Sequence, residues 1–519
     1  MAQLSEKRAF DQNRVMVVFL IGVFWLAFAL RWVYFLNTNR VVDEYISMLS
    51  IRAILVRGLP ILPSGWLYGP KGLTHGYLGA LSALAFGRSA FALCFQSVAA
   101  GMLAVSLIYR IGRDCSSADV GLSAAVALAC LPSAVQWGGR VRMYSLWQLL
   151  SLLGVYLLVK GYLGVGGADR RARIGGLLAM SLAMLTHTLT LMALGGLLVG
   201  LGVAWIVSLR KRRPCSTLRF SPGEILAVLF LVAVIVVSDP LGGPWGGRVK
   251  MSEVALQGTL TMRHVQERLF YLVAYTHEFV TWPLWPLTIF YAEGFIRLGL
   301  NLLRIRKAVT ADDWAALSLY ILLLVVWFTT GVTAHIQRDR YLFAILPFFL
   351  LLSLREIVAI VRLLGHTLGG LGNSGVLVAI LLLALLTPSA TRTIRTDVIG
   401  DLSLAYRYVE EHWRPGDAIA AYHPAPSQWF LNRVDYYATD VGAGVHDGVD
   451  AWAGAPWVPS PEAFALVLDA HGRVWYVVDD AYWDDYLGDA FKQFVRRRMR
   501  VAYHQSGVQV FVHDSNSLR

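Results

Sequence analysis

Two adjacent carboxylates, Asp43 and Glu44, stand just past the first long apolar run of the chain. A carboxylate within hydrogen-bond reach of a hydroxyl can take its proton as that hydroxyl attacks an electrophile. The same residue types also suit a helix start, where acidic side chains offset the positive end of the helix dipole. Four arginines lie far from this pair in the sequence: Arg140 and Arg142 in one turn, Arg338 and Arg340 in another. Guanidinium forks match the oxygens of a phosphate; on a membrane protein they also snorkel to lipid headgroups. Lys71, His75, Tyr144 and His187 complete the polar groups with access to chemistry. No His, Cys, Asp or Glu set has metal-ligand spacing. No obligatory cofactor is therefore expected, although Asp43 with Glu44 could hold a divalent metal.

The elements that must position these groups are membrane helices. Of the 519 residues, 56% are hydrophobic and only 15% charged, and the mean hydropathy is +0.54. Ordinary soluble domains carry about 25% charged residues, so a soluble enzyme, a disordered chain and a disulfide scaffold are all excluded. The four cysteines lack paired spacing and read as free thiols. Apolar segments predict eleven spans: 15–36, 89–109, 118–137, 143–163, 174–187, 188–208, 223–238, 281–300, 313–334, 341–360 and 374–390. The block 174–208 would be about 52 Å long as one helix, against a core of about 30 Å, so it must fold as a hairpin. Its proposed tip, Thr186-His187-Thr188, lacks Gly or Pro.

Basic clusters between the spans set the orientation. With 73–87 treated as a helix along the outer surface, the N-terminus is cytoplasmic and the clusters at 210–213 and 304–307 lie inside. Asp43, Glu44, Lys71, His75, Arg140, Arg142, His187, Arg338 and Arg340 then share the outer face. The loop 239–280 opens with dense Gly and Pro and continues as an amphipathic helix over 253–280; it is expected to cover the site as a lid.

Charge marks a second region. Residues 391–519 carry 12 basic and 17 acidic residues, although the whole chain is formally +12. The division predicted is a membrane domain at 1–390 and a water-soluble, extracytoplasmic domain at 391–519. Basic residues confined to short clusters between spans argue for topology and against nucleic acid. In the tail, helices over 397–413, 427–432 and 481–498 alternate with strands over 417–422, 473–478, 501–504 and 509–512. That alternation predicts a three-layer α/β domain. It contains no G-x-G-x-x-G run to mark a nucleotide site.

In order along the chain, the motifs resemble the GT-C membrane glycosyltransferases, in the branch of the protein O-mannosyltransferases and the aminoarabinose (ArnT-like) transferases of glycosyltransferase family 39. Asp43-Glu44, followed by an amphipathic run to Arg57-Gly58, resembles the family's first-loop motif. The stretch Tyr68-Gly69-Pro70-Lys71-Gly72-Leu73-Thr74-His75-Gly76 resembles the second surface helix of that loop, with Pro70-Lys71-Gly72 where the family often has a Pro-Pro element. Arg140-Val141-Arg142-Met143-Tyr144 and Arg340-Tyr341-Leu342 with Pro347 resemble the family's later turns. The resemblance implies a GT-C fold of about eleven transmembrane helices, with juxtamembrane helices in the first outer loop and a C-terminal α/β domain. It implies an inverting hexosyl- or pentosyltransferase in the inner (plasma) membrane, using an undecaprenyl or dolichyl phosphate sugar. The acceptor would be a glycan, lipid or protein. Asp43 would be the general base, with Glu44 orienting it or the acceptor. Arg140, Arg142, Arg338 and Arg340 would hold the donor phosphate, and Lys71, His75, Tyr144 and His187 would contact substrate. The rival expectation is a transporter or flippase of lipid-linked sugars, which calls for ionisable groups near the bilayer midplane or internal repeats; the sequence shows neither.

Overall fold

The computed structural model describes residues 2–69, 72–165, 169–210, 221–238, 262–303, 309–333, 339–367, 374–397, 399–442 and 444–515. Helices run from the N-terminus to residue 396: α1 (Ala2–Asn37), α2 (Val42–Arg57), α3 (Leu73–Phe86), α4 (Ala90–Cys115), α5 (Ala118–Cys130), α6 (Pro132–Gly138), α7 (Tyr144–Leu163), α8 (Arg170–Thr186), α9 (Thr190–Arg210), α10 (Pro222–Ser238), α11 (Met262–Val280), α12 (Trp285–Leu303), α13 (Ala311–Thr333), α14 (Leu346–Thr367) and α15 (Ser374–Thr396). Among the described residues, six of these are long and apolar enough to cross a bilayer: α1 from Met16, α4, α7, α9, α13 and α15. The pair α5 and α6, bent by 61°, adds a seventh when counted as one broken span. The other segments expected to span are also helices, but α8 and α10 have only 17 residues each. Of the remainder, α12 carries Glu293 and Arg297, and α14 carries Arg355, Glu356 and Arg362.

The charges on the short and polar helices are paired. Arg173 meets the fully buried Glu224 at 2.9 Å, Arg355 meets Asp313 at 3.4 Å, and Arg362 grips Asp119. Pairing a buried charge avoids the large cost of leaving it alone in a medium of low dielectric.

The bend between α5 and α6 has a clear cause. Pro132 has no N–H to give the Leu128 carbonyl one turn back, which leaves an acceptor without its helical partner. Arg31, buried in α1, supplies the missing donors. Its guanidinium reaches the carbonyls of Leu128 (3.4 Å), Ala129 (3.2 Å) and Ala27 (2.9 Å). Gly101 and Gly138 make room for it, since a Cβ at either would lie 2.6 Å from the Arg31 Nε. The sequence reading passed over this arginine. The result is a break in the expected span 118–137 that aims α6 toward the turn 139–143.

The expected hairpin at 174–208 forms, with α8 and α9 joined through His187, Thr188 and Leu189. Side chains do the work that Gly or Pro would do. The Leu189 N–H donates to His187 Nδ1 at 3.2 Å, and the Thr190 hydroxyl donates to the His187 carbonyl at 2.7 Å. The helix expected along the outer surface is α3. Its 14 residues span about 21 Å, too short to cross the core. The amphipathic helix expected at 253–280 is present as α11 from Met262; residues 239–261 of the expected lid lie outside the described residues.

Past residue 401 the chain builds α16 (Leu402–His412), β1 (Ala418–Ala421), α17 (Pro424–Phe430), β2 (Tyr436–Ala438), β3 (Val445–His446), β4 (Val449–Asp450), β5 (Trp457–Val458), α18 (Pro461–Ala470), β6 (Arg473–Asp479), α19 (Asp480–Asp485), α20 (Asp489–Arg498), β7 (Arg500–Gln505) and β8 (Val508–Asp514). Six strands form one sheet in the order β5-β2-β1-β6-β8-β7. The strands β5, β2, β1 and β6 are parallel, and β8 and β7 close the sheet antiparallel. Alternate residues face opposite layers. Ala418, Val474 and Tyr476 pack with Phe464 of α18 and Phe491 of α20. Ile419, Trp475 and Val477 pack with Leu402 and Tyr406 of α16 and Ala425 of α17. This is the expected three-layer arrangement. The helix expected at 481–498 is instead two, separated at Tyr486-Leu487-Gly488, where the Gly488 N–H donates to Asp440.

The second layer does not end at the sheet. Tyr45, Ile46, Leu49 and Ile51 of α2 belong to the same apolar cluster as α16 and α17. Tyr45 meets the Phe430 ring at 5.4 Å, and Arg52 donates to the Gln428 carbonyl at 3.1 Å. The first outer loop is thus clamped between the helical bundle and the C-terminal sheet.

Candidate active site

The site is assembled from the ends of elements that are remote in sequence. α2 begins at Val42, so Asp43 and Glu44 occupy its first turn. Glu44 reaches back, and its Oε2 accepts the Val41 N–H at 2.9 Å, as a third helical residue does in a capping box. Its Oε1 accepts the Val141 N–H at 2.7 Å. Glu44 is fully buried, and its two oxygens bind the α2 start to the middle of the turn between Arg140 and Arg142. It therefore works as a pin between two loops, with its carboxylate turned to the backbone.

Asp43, the neighbour, is turned outward, with its side chain 41% exposed. Its Oδ2 lies 3.3 Å from Arg142 Nη2 and 3.5 Å from Arg340 Nη1. Arg142 also donates through Nη1 to the Asp43 carbonyl at 2.7 Å and to the Ser47 hydroxyl at 3.2 Å. Burial works against the charge on Arg142, but Asp43, Tyr144 and Tyr68 together more than offset this and keep it cationic. Arg340 enters from a short 3-10 turn (Asp339–Tyr341) ahead of α14. Three chain segments, near residues 43, 142 and 340, thus converge on one carboxylate.

An aromatic floor supports the two guanidiniums. Tyr144 lies 5.7 Å below Arg142 and 5.5 Å below Arg340. Trp137 packs on Tyr144 at 4.5 Å and carries Arg340 at 6.0 Å and Arg140 at 5.4 Å. Ring faces attract cations at such distances. His187 is buried and stacks on Trp147 at 4.5 Å, with Tyr144 at 5.7 Å. It belongs to this floor, one layer below the charges.

The other expected residues are placed differently. Arg140 is turned away from Asp43. It donates to the Tyr34 hydroxyl at 2.8 Å and to Asp397 at 2.7 Å, and Gln136 donates to the same Asp397 oxygen at 2.9 Å. Burial raises the cost of charge on Asp397, but Arg140, Tyr34 and Gln136 hold its carboxyl below the usual range. His75 is buried in α3 against Gln96 (3.1 Å) and Ser97 (3.4 Å), and the Ser97 hydroxyl donates to the Arg142 carbonyl at 3.0 Å. Burial, helped by the charge of Arg142, pushes the His75 pKa down to about 3. His75 is thus neutral and buried behind the Arg142 turn, whereas it was expected to contact substrate. Lys71 and Arg338 lie outside the described residues.

Several groups here were not expected from the sequence. Trp137, Tyr34 and Asp397 frame the arginines, and the signal for Asp397 was its position as the first carboxylate after the last apolar run. From the C-terminal domain come His423, ahead of α17, and Tyr482 of α19, whose rings meet at 4.2 Å. Burial pushes the His423 pKa down to about 3, while the negative charge of Asp43 pulls it the other way. Asp43 therefore faces a neutral imidazole across the junction.

Of the Asp43-Glu44 pair that could hold a divalent cation, only Asp43 turns its carboxylate outward. Both Glu44 oxygens are occupied by backbone amides, and two guanidiniums flank Asp43. Among the described residues no group of three His, Cys, Asp or Glu converges elsewhere.

No family model matches this chain, and no curated protein matches it in sequence. Solved structures do match in shape. ArnT from Cupriavidus metallidurans in the apo state aligns with a TM-score of 0.60 at 13% identity, over 98% of this chain and 99% of that one. The same protein bound to undecaprenyl phosphate aligns at 0.55 and 14% identity, over 97% and 98%. The Archaeoglobus fulgidus oligosaccharyltransferase tethered to an acceptor peptide aligns at 0.58 and 12% identity, over 97% of this chain and 74% of that one. At such identities the likeness is one of fold, and it defines the class: a polytopic α-helical membrane protein of the GT-C fold with a C-terminal α/β region.

Proposed function

We propose that this protein is an inverting glycosyltransferase that moves a sugar from a polyprenyl monophosphate to a hydroxyl acceptor at the extracytoplasmic face of the membrane. The observation that carries this is the convergence of Asp43 with Arg142 and Arg340 from three distant segments. Proteins of the same fold bind such lipids: ArnT has been solved with undecaprenyl phosphate, and the archaeal oligosaccharyltransferase AglB with dolichol phosphate. The oligosaccharyltransferase has also been solved with zinc and sulfate. In this chain Arg142 and Arg340, beside Asp43, offer a site for a phosphate.

In the proposed reaction the acceptor oxygen attacks the anomeric carbon as its proton passes to the exposed Asp43 carboxylate. The bond from the anomeric carbon to the phosphate oxygen breaks, and its electron pair stays on the phosphate. Arg340 faces that developing charge from the aromatic floor, and Arg142 supports it while fixing Asp43. Preorganised cations aimed at developing charge supply a large catalytic contribution. Polyprenyl phosphate leaves without a separate general acid. Glu44 and Arg140 act as positioning residues, Glu44 through the Val141 amide and Arg140 through Asp397.

The test supplies purified protein with a radiolabelled undecaprenyl-phosphate sugar and measures release of the lipid phosphate. Wild type is expected to release it, and Arg340→Ala to lose about 10²–10³-fold. Intact uptake of the lipid-linked sugar into vesicles, with no bond cleaved, would refute the transferase and favour a flippase.

A further inference from the structure

A second basic site lies on the lipid side of the bundle, outside the catalytic centre. Two hollows of one groove, about 580 and 480 Å³, share Thr391 and Arg395 in their linings; the larger follows α15 alone, and the smaller lies between α1 and α15. In the smaller hollow Ala29, Leu30 and Val33 of α1 form one wall and Thr391 and Ile394 of α15 the other, while Leu383, Ala384 and Thr387 line the larger. Pro388, in the lining of the larger hollow, sits inside α15 and has no N–H for the Ala384 carbonyl. Thr391 covers part of the gap by donating its hydroxyl to the Thr387 carbonyl at 2.8 Å.

The two ends of this groove differ. Its deep end is apolar. Its rim carries Arg392 and Arg395, both exposed and in no ion pair among the described residues, with Asn37 beside them. The rim is on the catalytic side of the membrane, because Asp397, two residues past Arg395, bonds Arg140. On the orientation given by the proposed function, on which this inference rests, these exposed arginines stand on the outer side against the usual charge bias of membrane proteins, where a lipid phosphate would offset them. From Leu383 to Arg395 the helix rises about 18 Å, close to half of a hydrocarbon core of about 30 Å. A ligand with its charge at the rim and its chains in the groove therefore fits one leaflet.

We propose that this groove binds an acidic phospholipid of the outer leaflet, with its phosphate held by Arg392 and Arg395 and an acyl chain between α1 and α15. The Tyr34, Arg140 and Asp397 cluster stands between this phosphate and the Arg142 and Arg340 site, so the two are separate. The occupant is a bilayer lipid and not the sugar donor.

Native mass spectrometry of the full chain in detergent tests this, with phosphatidylglycerol or phosphatidylcholine added in equal amounts. One phosphatidylglycerol is expected to be retained in preference to phosphatidylcholine. Arg392→Ala with Arg395→Ala should lower that retention by roughly tenfold or more, since each cation near an anionic lipid contributes on the order of 1 kcal/mol. Both side chains are exposed, so the double variant should fold; Arg392→Lys with Arg395→Lys, which keeps the charges, should keep most of the binding. Equal retention of the two lipids would overturn the proposal, as would undiminished retention in the alanine variant. Displacement of the phosphatidylglycerol by one equivalent of undecaprenyl phosphate would overturn the choice of occupant.

Discussion

Adjacent carboxylates at the start of α2 take opposite parts because of where each side chain points. Glu44 turns inward and spends its charge on two backbone amides; Asp43 turns outward between two guanidiniums. Glu44→Gln would set an amide donor against one of those N–H groups, leaving a buried donor unmet. Hydrogen bonds to buried charged groups are worth about 1.5–3 kcal/mol, so this variant is expected to melt several degrees lower and to lose activity with the fold. Asp43→Asn keeps the shape of the partly exposed side chain and is expected to melt close to wild type. Thermal unfolding in the same detergent separates the two. The sequence could bring these residues to notice but could not divide the labour between them. Both are acids in a first helical turn, and only the position of Val141, almost a hundred residues away, decides which one is consumed by structure. Arg140 carries the same lesson, since its partner Asp397 lies beyond the last span.

At the scale of elements, the geometry of the site depends on a flaw in a helix. Pro132 breaks the span that hydrophobicity alone renders as continuous, and Arg31 supplies the donors the break requires. Arg31→Met should leave those carbonyls unpaired, at a cost of about 1–3 kcal/mol for each buried group left unsatisfied. The turn carrying Arg140 and Arg142 would loosen with it. Arg31→Lys is expected to rescue only in part, because one ammonium cannot reproduce a fork that reaches three carbonyls. Hydrogen exchange over residues 128–143 would read this directly, with faster exchange in Arg31→Met than in wild type. The existence and order of the helices were legible because long apolar runs dominate membrane segments. The break itself was marked locally by Pro132, but the buried arginine that heals it depends on contacts between α1 and α5 that no local pattern encodes. The hairpin tip at His187 was legible from length, although its stabilising bonds from His187 and Thr190 side chains were not.

Over the whole molecule, the bundle and the C-terminal sheet share one apolar layer through α2, so the segment that carries Asp43 is held from both sides. The alternation of helix and strand made the three-layer domain legible, with β1, β6, β7 and β8 where expected. The short strands β2 and β5 and the helix α18 gave too few residues for a period to show. One titration belongs to this domain. Burial at the end of β4 pushes Asp450 up to about 6, although the amides of Ala453 and Trp452 pull it down. The fold therefore favours its neutral form. The stabilisation is complete below the ordinary carboxylate value of about 3.9 and is lost as pH rises through about 6, by at most about 3 kcal/mol. Asp450→Asn is expected to raise the melting temperature at pH 7.5 and to leave it nearly unchanged at pH 4; equal shifts at both would refute the sign.

The most direct test of the central claim is a single-turnover comparison of wild type and Asp43→Asn, using labelled undecaprenyl-phosphate sugar with donor binding measured in parallel. With Asp43 as the proton acceptor and the arginines as the phosphate site, sugar release should fall by about 10²–10⁴-fold while the donor still binds. An unchanged rate in the folded variant would contradict the account.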